Sequence, residues 1–162
     1  VVIINGPPVS SILDRVKGCK NAFGKYPKIN ILSDNQDGKA SREGGLAVMQ
    51  ALITRFPKID AVFGANDPTA IGADLAARQL NRQEMIIGGV DGSPDIVAAL
   101  KSGTTRIVAS SSQDPYGMAK QAAEFAVALL NGKKPEKAVT LLDTKLVTKE
   151  NVDKYLGWDA QR

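Results

Sequence analysis

The sequence predicts an α/β fold with a doubly wound, mostly parallel sheet, and three observations predict it. Short apolar runs of strand character recur along the chain, segments of helical periodicity lie between them, and the connections are short. Right-handed βαβ crossovers then stack helices on both faces of the sheet, giving three layers. The 162 residues suit one compact domain with a core of its own.

Residues 1–4, 29–32, 61–63, 85–87 and 107–109 read as the strands. The first helix, about 10–24, carries Ile12, Val16, Cys19 and Phe23 on one face; the second, about 41–56, carries Leu46, Met49, Ile53 and Phe56. Ala70, Ala73, Ala77 and Leu80 line a third over 67–80, and a short fourth covers 93–102. Met118, Ala122, Phe125 and Leu129 line the fifth, 114–131, with Gly132 placed to end it. Asp67-Pro68, Ser93-Pro94 and Asp114-Pro115 each offer a side-chain oxygen as N-cap and a proline at the first helical position. The tail from Lys145 reads as a short strand, then a weak helical turn around 151–157.

Composition excludes several function classes. With 43% hydrophobic and 23% charged residues the chain is neither disordered nor coiled coil, and no apolar run approaches the roughly 20 residues of a membrane span. One cysteine rules out an internal disulfide framework, and the absence of histidine removes His-based triads and most zinc and iron sites. The net charge of +4 is spread over scattered Lys and Arg with few aromatics, so no nucleic-acid partner is expected.

In a parallel α/β sheet, ligands bind beyond the carboxyl ends of the strands. Asn5, Asn66 with Asp67, Asp91 and Gln113 follow successive strands, and Arg15 lies about one turn inside the first helix. A carboxylate, amides and a guanidinium suit a polyhydroxylated molecule, whose hydroxyls both donate and accept. Each residue also has a plainer reading. Asp67 and Asp114 are explained as helix caps, which leaves Asn66 beside a cap; Asp91-Gly92 is also a turn signal. Arg15 pairing with Asp14 at the surface, and Gln113 as a polar residue before a cap, stay open beside the ligand-binding reading.

Enzyme signatures are lacking: no glycine-rich phosphate cradle follows a strand, and Asp91 has no evident nucleophile or partner for base catalysis. No enzymatic activity, metal or cofactor is expected. Read as a calcium loop, the stretch Asp34 to Gly38 would put Ser33 and Gly44 at the two obligatory carboxylate positions, so a polar loop is expected instead. Cys19, on an apolar stripe, reads as a buried, inert thiol.

Several segments resemble the ribose-type periplasmic sugar-binding proteins. They are AVFGANDPTAIGA at 61–73, IIGGVDGSPD at 86–95, SQDPYGM at 112–118, DRVKG at 14–18 and GLAVMQ at 45–50, and they follow in family order. The resemblance implies the C-terminal portion of a two-lobed, hinge-closing solute-binding protein of a sugar or polyol ABC import system, periplasmic or membrane-anchored outside the cytoplasm. It would hold a small carbohydrate without chemistry and dock on an ABC permease. It implies Arg15, Asn66, Asp91 and Gln113 as the solute contacts. Residues 1–110 with 145–162 would form the C-terminal lobe. Residues 111–144 would be a hinge crossing plus a helix and strand of the N-terminal lobe. A chain that opens inside a strand, without Met or leader, is expected to lack most of that lobe, and the apolar stripe of the fifth helix is expected to seek the missing N-terminal half or a second copy of the chain. Aromatic rings of the ribose-type proteins match Ala40 and Val90 here, so no sugar-stacking face is expected from this lobe, and a wider cleft or a polyol, cyclitol or different sugar fits that departure. The effector-binding core of LacI-type transcription regulators shares the fold and is the alternative reading.

Overall fold

A computed structural model describes residues 1–160. Six strands form one sheet: β1 (Val2–Asn5), β2 (Ser33–Asp37), β3 (Ala61–Gly64), β4 (Ile86–Asp91), β5 (Ile107–Ser112) and β6 (Lys145–Thr148), in the spatial order β2-β1-β3-β4-β5-β6. Between them run α1 (Ser10–Phe23), α2 (Arg42–Arg55), α3 (Asp67–Gln79), α4 (Pro94–Ser102) and α5 (Pro115–Leu130), and a 3-10 turn spans Val152–Lys154. The first five strands are parallel; β6 alone is antiparallel, with Val147 opposite Ser110. The chain moves outward from β1 to β2 and then back across to β3, so the sheet is doubly wound and its order reverses at β1. The crevice at such a reversal, beyond the strand C-termini, is where open α/β sheets bind ligands.

Val2, Ile4, Val62, Ile87 and Ile107 are buried along the sheet and pack with Met49, Leu52 and Ile53 of α2, the alanines of α3, and Ile96 and Leu100 of α4. Fully burying an aliphatic side chain of this size contributes about 1.5–3 kcal/mol. The α2–α3 pair approaches through backbone: a Cβ on Gly72 would run into the Arg42 carbonyl oxygen, and one on Gly45 into that of Thr69. Alanine and glycine at this crossing bring the two helices close under the sheet edge.

The structure corrects several sequence expectations. The second strand is not 29–32 but the polar run Ser33–Asp37, which had read as the start of a loop. β2 is an edge strand bonded only to β1, and its side chains are mostly exposed, so backbone pairing makes it a strand without an apolar signature. The apolar residues before it serve the core differently: Leu32 packs against it and its N–H donates to the Val1 carbonyl at 2.8 Å. β4 and β5 run on past the expected ends at 87 and 109, to Asp91 directly after Val90 and to Ser112 at the end of a run of three serines. Burial continues along β5, with Ser110 fully buried and Ser112 nearly so. The N-cap of α3 is Asn66, whose side chain accepts from Thr69 N–H at 3.1 Å, while Asp67 is already helical. Ser93 and Asp114 cap α4 and α5 as expected, and Gly132 follows the Asn131 C-cap with φ of 75°.

Helix α5 contributes nothing to this core. None of its residues is buried, and Met118, Phe125 and Leu129 are exposed. With residues 135–144 it walls a groove of about 520 Å³.

Candidate functional site

Four polar residues singled out in the sequence lie at the C-terminal ends of β3, β4 and β5 and on the facing side of α1. Asp91 ends β4, Gln113 follows β5 directly, and Asn66 follows β3 by two residues. Asp91 is the centre. One carboxylate oxygen takes Arg15 Nη2 at 2.9 Å and Gln113 Nε2 at 2.6 Å; the other takes the backbone N–H of Asp67 at 3.4 Å. Arg15 therefore pairs with Asp91 rather than with its neighbour Asp14, and its Nη1 also donates to the Ala65 carbonyl at 3.0 Å. Both charged side chains keep a little exposure, 17% for Arg15 and 12% for Asp91, so the pair forms a partly wet wall. A charge-assisted, hydrogen-bonded pair of this kind is fixed in direction as well as in charge.

Asn66 stands slightly apart. Its Oδ1 caps α3, and its Nδ2 donates to the Ala40 carbonyl at 3.0 Å. That bond anchors the loop after β2, where Lys39 and Ala40 both take left-handed backbone conformations. Arg15, Asp91 and Gln113 thus form one bonded cluster, and Asn66 joins it through the α3 N-terminus, directly before Asp67, whose backbone N–H bonds Asp91. Val90 is buried in the sheet and Ala40 is small, so no aromatic ring stands at either position.

Beneath the cluster lies a residue that the sequence reading treated as a cap. Asp67 is fully buried. Its carboxylate accepts from Ser110 Oγ at 2.6 Å and from Ser93 N–H at 2.8 Å, and Ser110 Oγ in turn accepts from Gly92 N–H at 3.0 Å. Burial pushes the Asp67 carboxyl above its ordinary range; the Ser110 and Ser93 bonds pull it down, and the nearby Asp91 charge pushes it up. Asp67, Ser93 and Ser110 thus lock the β4 exit from below. IVASSS, three apolar residues and then three serines, carries no alternation that singles out Ser110, and the signal for Asp67 was masked by its place beside a proline.

Asp91 itself has φ of 135°, a backbone region that non-glycine residues rarely enter. Its carbonyl accepts from Gln113 N–H at 2.8 Å and from Trp158 Nε1 at 3.1 Å, and the Gly92 carbonyl accepts from the Tyr155 hydroxyl at 3.1 Å. The sequence reading had assigned no role to Tyr155 or Trp158. The arrangement offers hydrogen-bond donors and acceptors on rigid supports; among the described residues no group of three or more His, Cys, Asp or Glu side chains is placed to hold a metal ion.

Comparison with known proteins agrees with this geometry. The family model described as periplasmic binding protein domain matches residues 1–134. The ribose import binding protein RbsB of Salmonella typhimurium is 34% identical over 141 residues, covering 87% of this chain and 46% of that protein. The xylitol-binding protein of Mycolicibacterium smegmatis is 34% identical over 158 residues, covering 94% of this chain and 43% of that protein. Among solved structures, an ABC transporter periplasmic solute binding protein from Actinobacillus succinogenes with bound D-allose superposes with a TM-score of 0.88 at 29% identity, over 95% of this chain and 53% of that one. The chain spans about half the length of the curated relatives it matches. Sheet topology, strand-end chemistry and sequence similarity coincide, and the chain belongs to the periplasmic binding protein family.

Proposed function

We propose that this chain is the C-terminal solute-binding portion of a sugar or polyol ABC import system, working outside the cytoplasm by hinge closure and without covalent chemistry. The observation that carries the reading is the Arg15–Asp91–Gln113 cluster at the mouth of β4 and β5, with Asn66 at the mouth of β3. Guanidinium and amide N–H groups donate and the carboxylate accepts, which matches hydroxyls that do both. A solute lacking one hydroxyl would leave a partly buried group unpaired, the usual source of polar specificity.

Residues 1–110 with 145–162 are the C-terminal lobe in this reading, and 111–144 cross to an N-terminal lobe that supplies the other wall of the cleft. The lack of any buried residue in α5, and its exposed Met118, Phe125 and Leu129, support that division. The N-terminal half, or a second copy of the chain, would cover that stripe, and the closed form would dock on an ABC permease. Among the described residues no helix is long and apolar enough to cross a membrane. A LacI-type effector core is not favoured, since the relatives found include ribose import binding proteins and a xylitol-binding protein.

Calorimetric titration of the full-length protein with D-ribose, D-allose and xylitol tests the assignment. One of these binds the wild type, and Asp91→Ala and Asn66→Ala each weaken it by about tenfold or more, as loss of a hydrogen bond to a charged or fixed polar group predicts. Unchanged affinity in both variants refutes the reading.

A further inference from the structure

We propose that Tyr155 and Trp158, in the tail beyond β6, are positioning residues for the solute carboxylate Asp91, so that solute capture is mechanically tied to the segment that returns from the hinge. The inference rests on the solute-binding reading above and deepens it.

The argument starts from two successive peptide groups. The Asp91–Gly92 peptide is held at both ends: its carbonyl accepts from Trp158 Nε1 at 3.1 Å as well as from Gln113 N–H, and its N–H donates to Ser110 Oγ. The Gly92–Ser93 peptide is held likewise, with its carbonyl on the Tyr155 hydroxyl at 3.1 Å and its N–H on the Asp67 carboxylate. The N–H ends are fixed from within the lobe, by α3 and β5. The carbonyl ends are fixed largely by the tail. A residue at φ of 135° persists only where its surroundings over-determine it. These five hydrogen bonds do so, and they set the direction of the Asp91 Cα–Cβ bond and hence where its carboxylate stands.

The tail also packs against this corner. A Cβ on Gly92 would lie 2.6 Å from the Tyr155 hydroxyl and 2.5 Å from Ser112 Cβ, so glycine is required there for the ring to reach its carbonyl. Tyr155 itself leans on the core. The path from β6 through the 3-10 turn to Trp158 therefore ends on the backbone of the residue that pairs with Arg15. A change in the set of β6 against β5 reaches the Asp91 carboxylate through two hydrogen bonds, and the reverse path carries solute contact back to the tail.

Trp158 is the one tryptophan of these 162 residues, which supplies the test. The full-length protein is labelled with 5-fluorotryptophan and titrated with D-ribose, D-allose and xylitol by calorimetry and by fluorine NMR, with Trp158→Phe identifying the Trp158 resonance. Tyr155→Phe keeps the ring and removes only the hydroxyl donor, and Trp158→Phe removes the indole N–H donor together with part of the ring system. Each is expected to weaken the sugar that binds by about two- to tenfold, the range for one hydrogen bond. The Trp158 resonance is expected to shift on titration with the calorimetric midpoint, a response that a purely structural residue would not give. Wild-type affinity in both variants, with Asp91→Ala crippled, overturns the positioning role while leaving the solute-binding reading intact. An unmoved Trp158 resonance at saturating sugar does the same. Wild-type affinity in Asp91→Ala, or no binding of any of the three sugars by the wild type, overturns the parent reading and this inference with it.

Discussion

The backbone of Asp91 offers a test that separates strain from side-chain chemistry. Asp91→Ala and Asp91→Gly both delete the carboxylate, so both strip Arg15 and Gln113 of their shared acceptor. They differ in what they do at φ of 135°. Alanine keeps the strain of a region that is close to glycine-only, about 1–3 kcal/mol, while glycine relieves it. Glycine also gains freedom in the unfolded chain, which costs it about 0.4–1 kcal/mol relative to alanine. At the middle of those ranges the difference leaves Asp91→Gly more stable than Asp91→Ala by about 1.3 kcal/mol. With a urea slope of about 2 kcal/mol per molar, that is a midpoint higher by about 0.65 M in the glycine variant. Urea unfolding of the two full-length variants, followed by circular dichroism, measures it directly, and calorimetry should show solute affinity reduced in both. Equal midpoints, or a more stable alanine variant, would refute the claim that the fold holds this residue against its own preference. A glycine variant that bound solute normally would refute the role of its carboxylate.

Two further expectations follow from the buried Asp67 and the half-buried Cys19. Because the folded protein raises the Asp67 carboxyl above its unfolded value of 3.8, the folded state binds the extra proton; the stability this contributes is complete below about pH 3.8 and is lost as pH rises through the raised value. Asp67→Asn should remove that dependence, so urea midpoints of wild type minus variant should fall as pH rises from 3.8; a flat difference refutes it. Burial pushes the Cys19 thiol from 9.0 up to about 11, which cuts its thiolate fraction at pH 8 by about a hundredfold. Ellman's reagent should therefore label the native protein far more slowly than the urea-unfolded chain, and equal rates would show Cys19 to be open.

What could be read from the sequence followed from where side-chain chemistry and backbone geometry agree. The helices were legible because caps, prolines and apolar stripes all marked the same boundaries, as at Ser93-Pro94 and Asp114-Pro115. The central strands were legible because burial on both faces demands continuous aliphatic runs. The edge strand β2 was not, since one free edge and exposed faces relax that demand, and SDNQD carries no strand signature. The polar groups at the mouth of the sheet were legible at Asn66, Asp91 and Gln113, because polar residues just after aliphatic strands are conspicuous, and at Arg15 as a guanidinium about one turn inside the first helix. Tyr155 and Trp158 were not. They sit 63 and 67 residues from the carbonyls they hold, and no local pattern announces a contact made by tertiary closure of the tail.

The treatment of Asn66 carries a more general point about reading such sites. Capping and ligand contact look like rival explanations for one polar residue at a helix start, and the sequence reading set them side by side. The geometry removes the rivalry. Asn66 uses one oxygen for the α3 cap and one N–H for the Ala40 carbonyl, and an amide has a second N–H and a second lone pair besides. The two bonds fix the amide plane, so its remaining valences point in set directions. A cap of this kind is a way of aiming a side chain, and rigid aim is what a polar site needs to discriminate one arrangement of hydroxyls from another. Asp67 repeats the logic one residue on: its backbone N–H serves the Asp91 carboxylate while its side chain braces Ser93 and Ser110. At the mouth of this sheet, Asn66 and Asp67 hold the start of α3 and brace the proposed site at the same time.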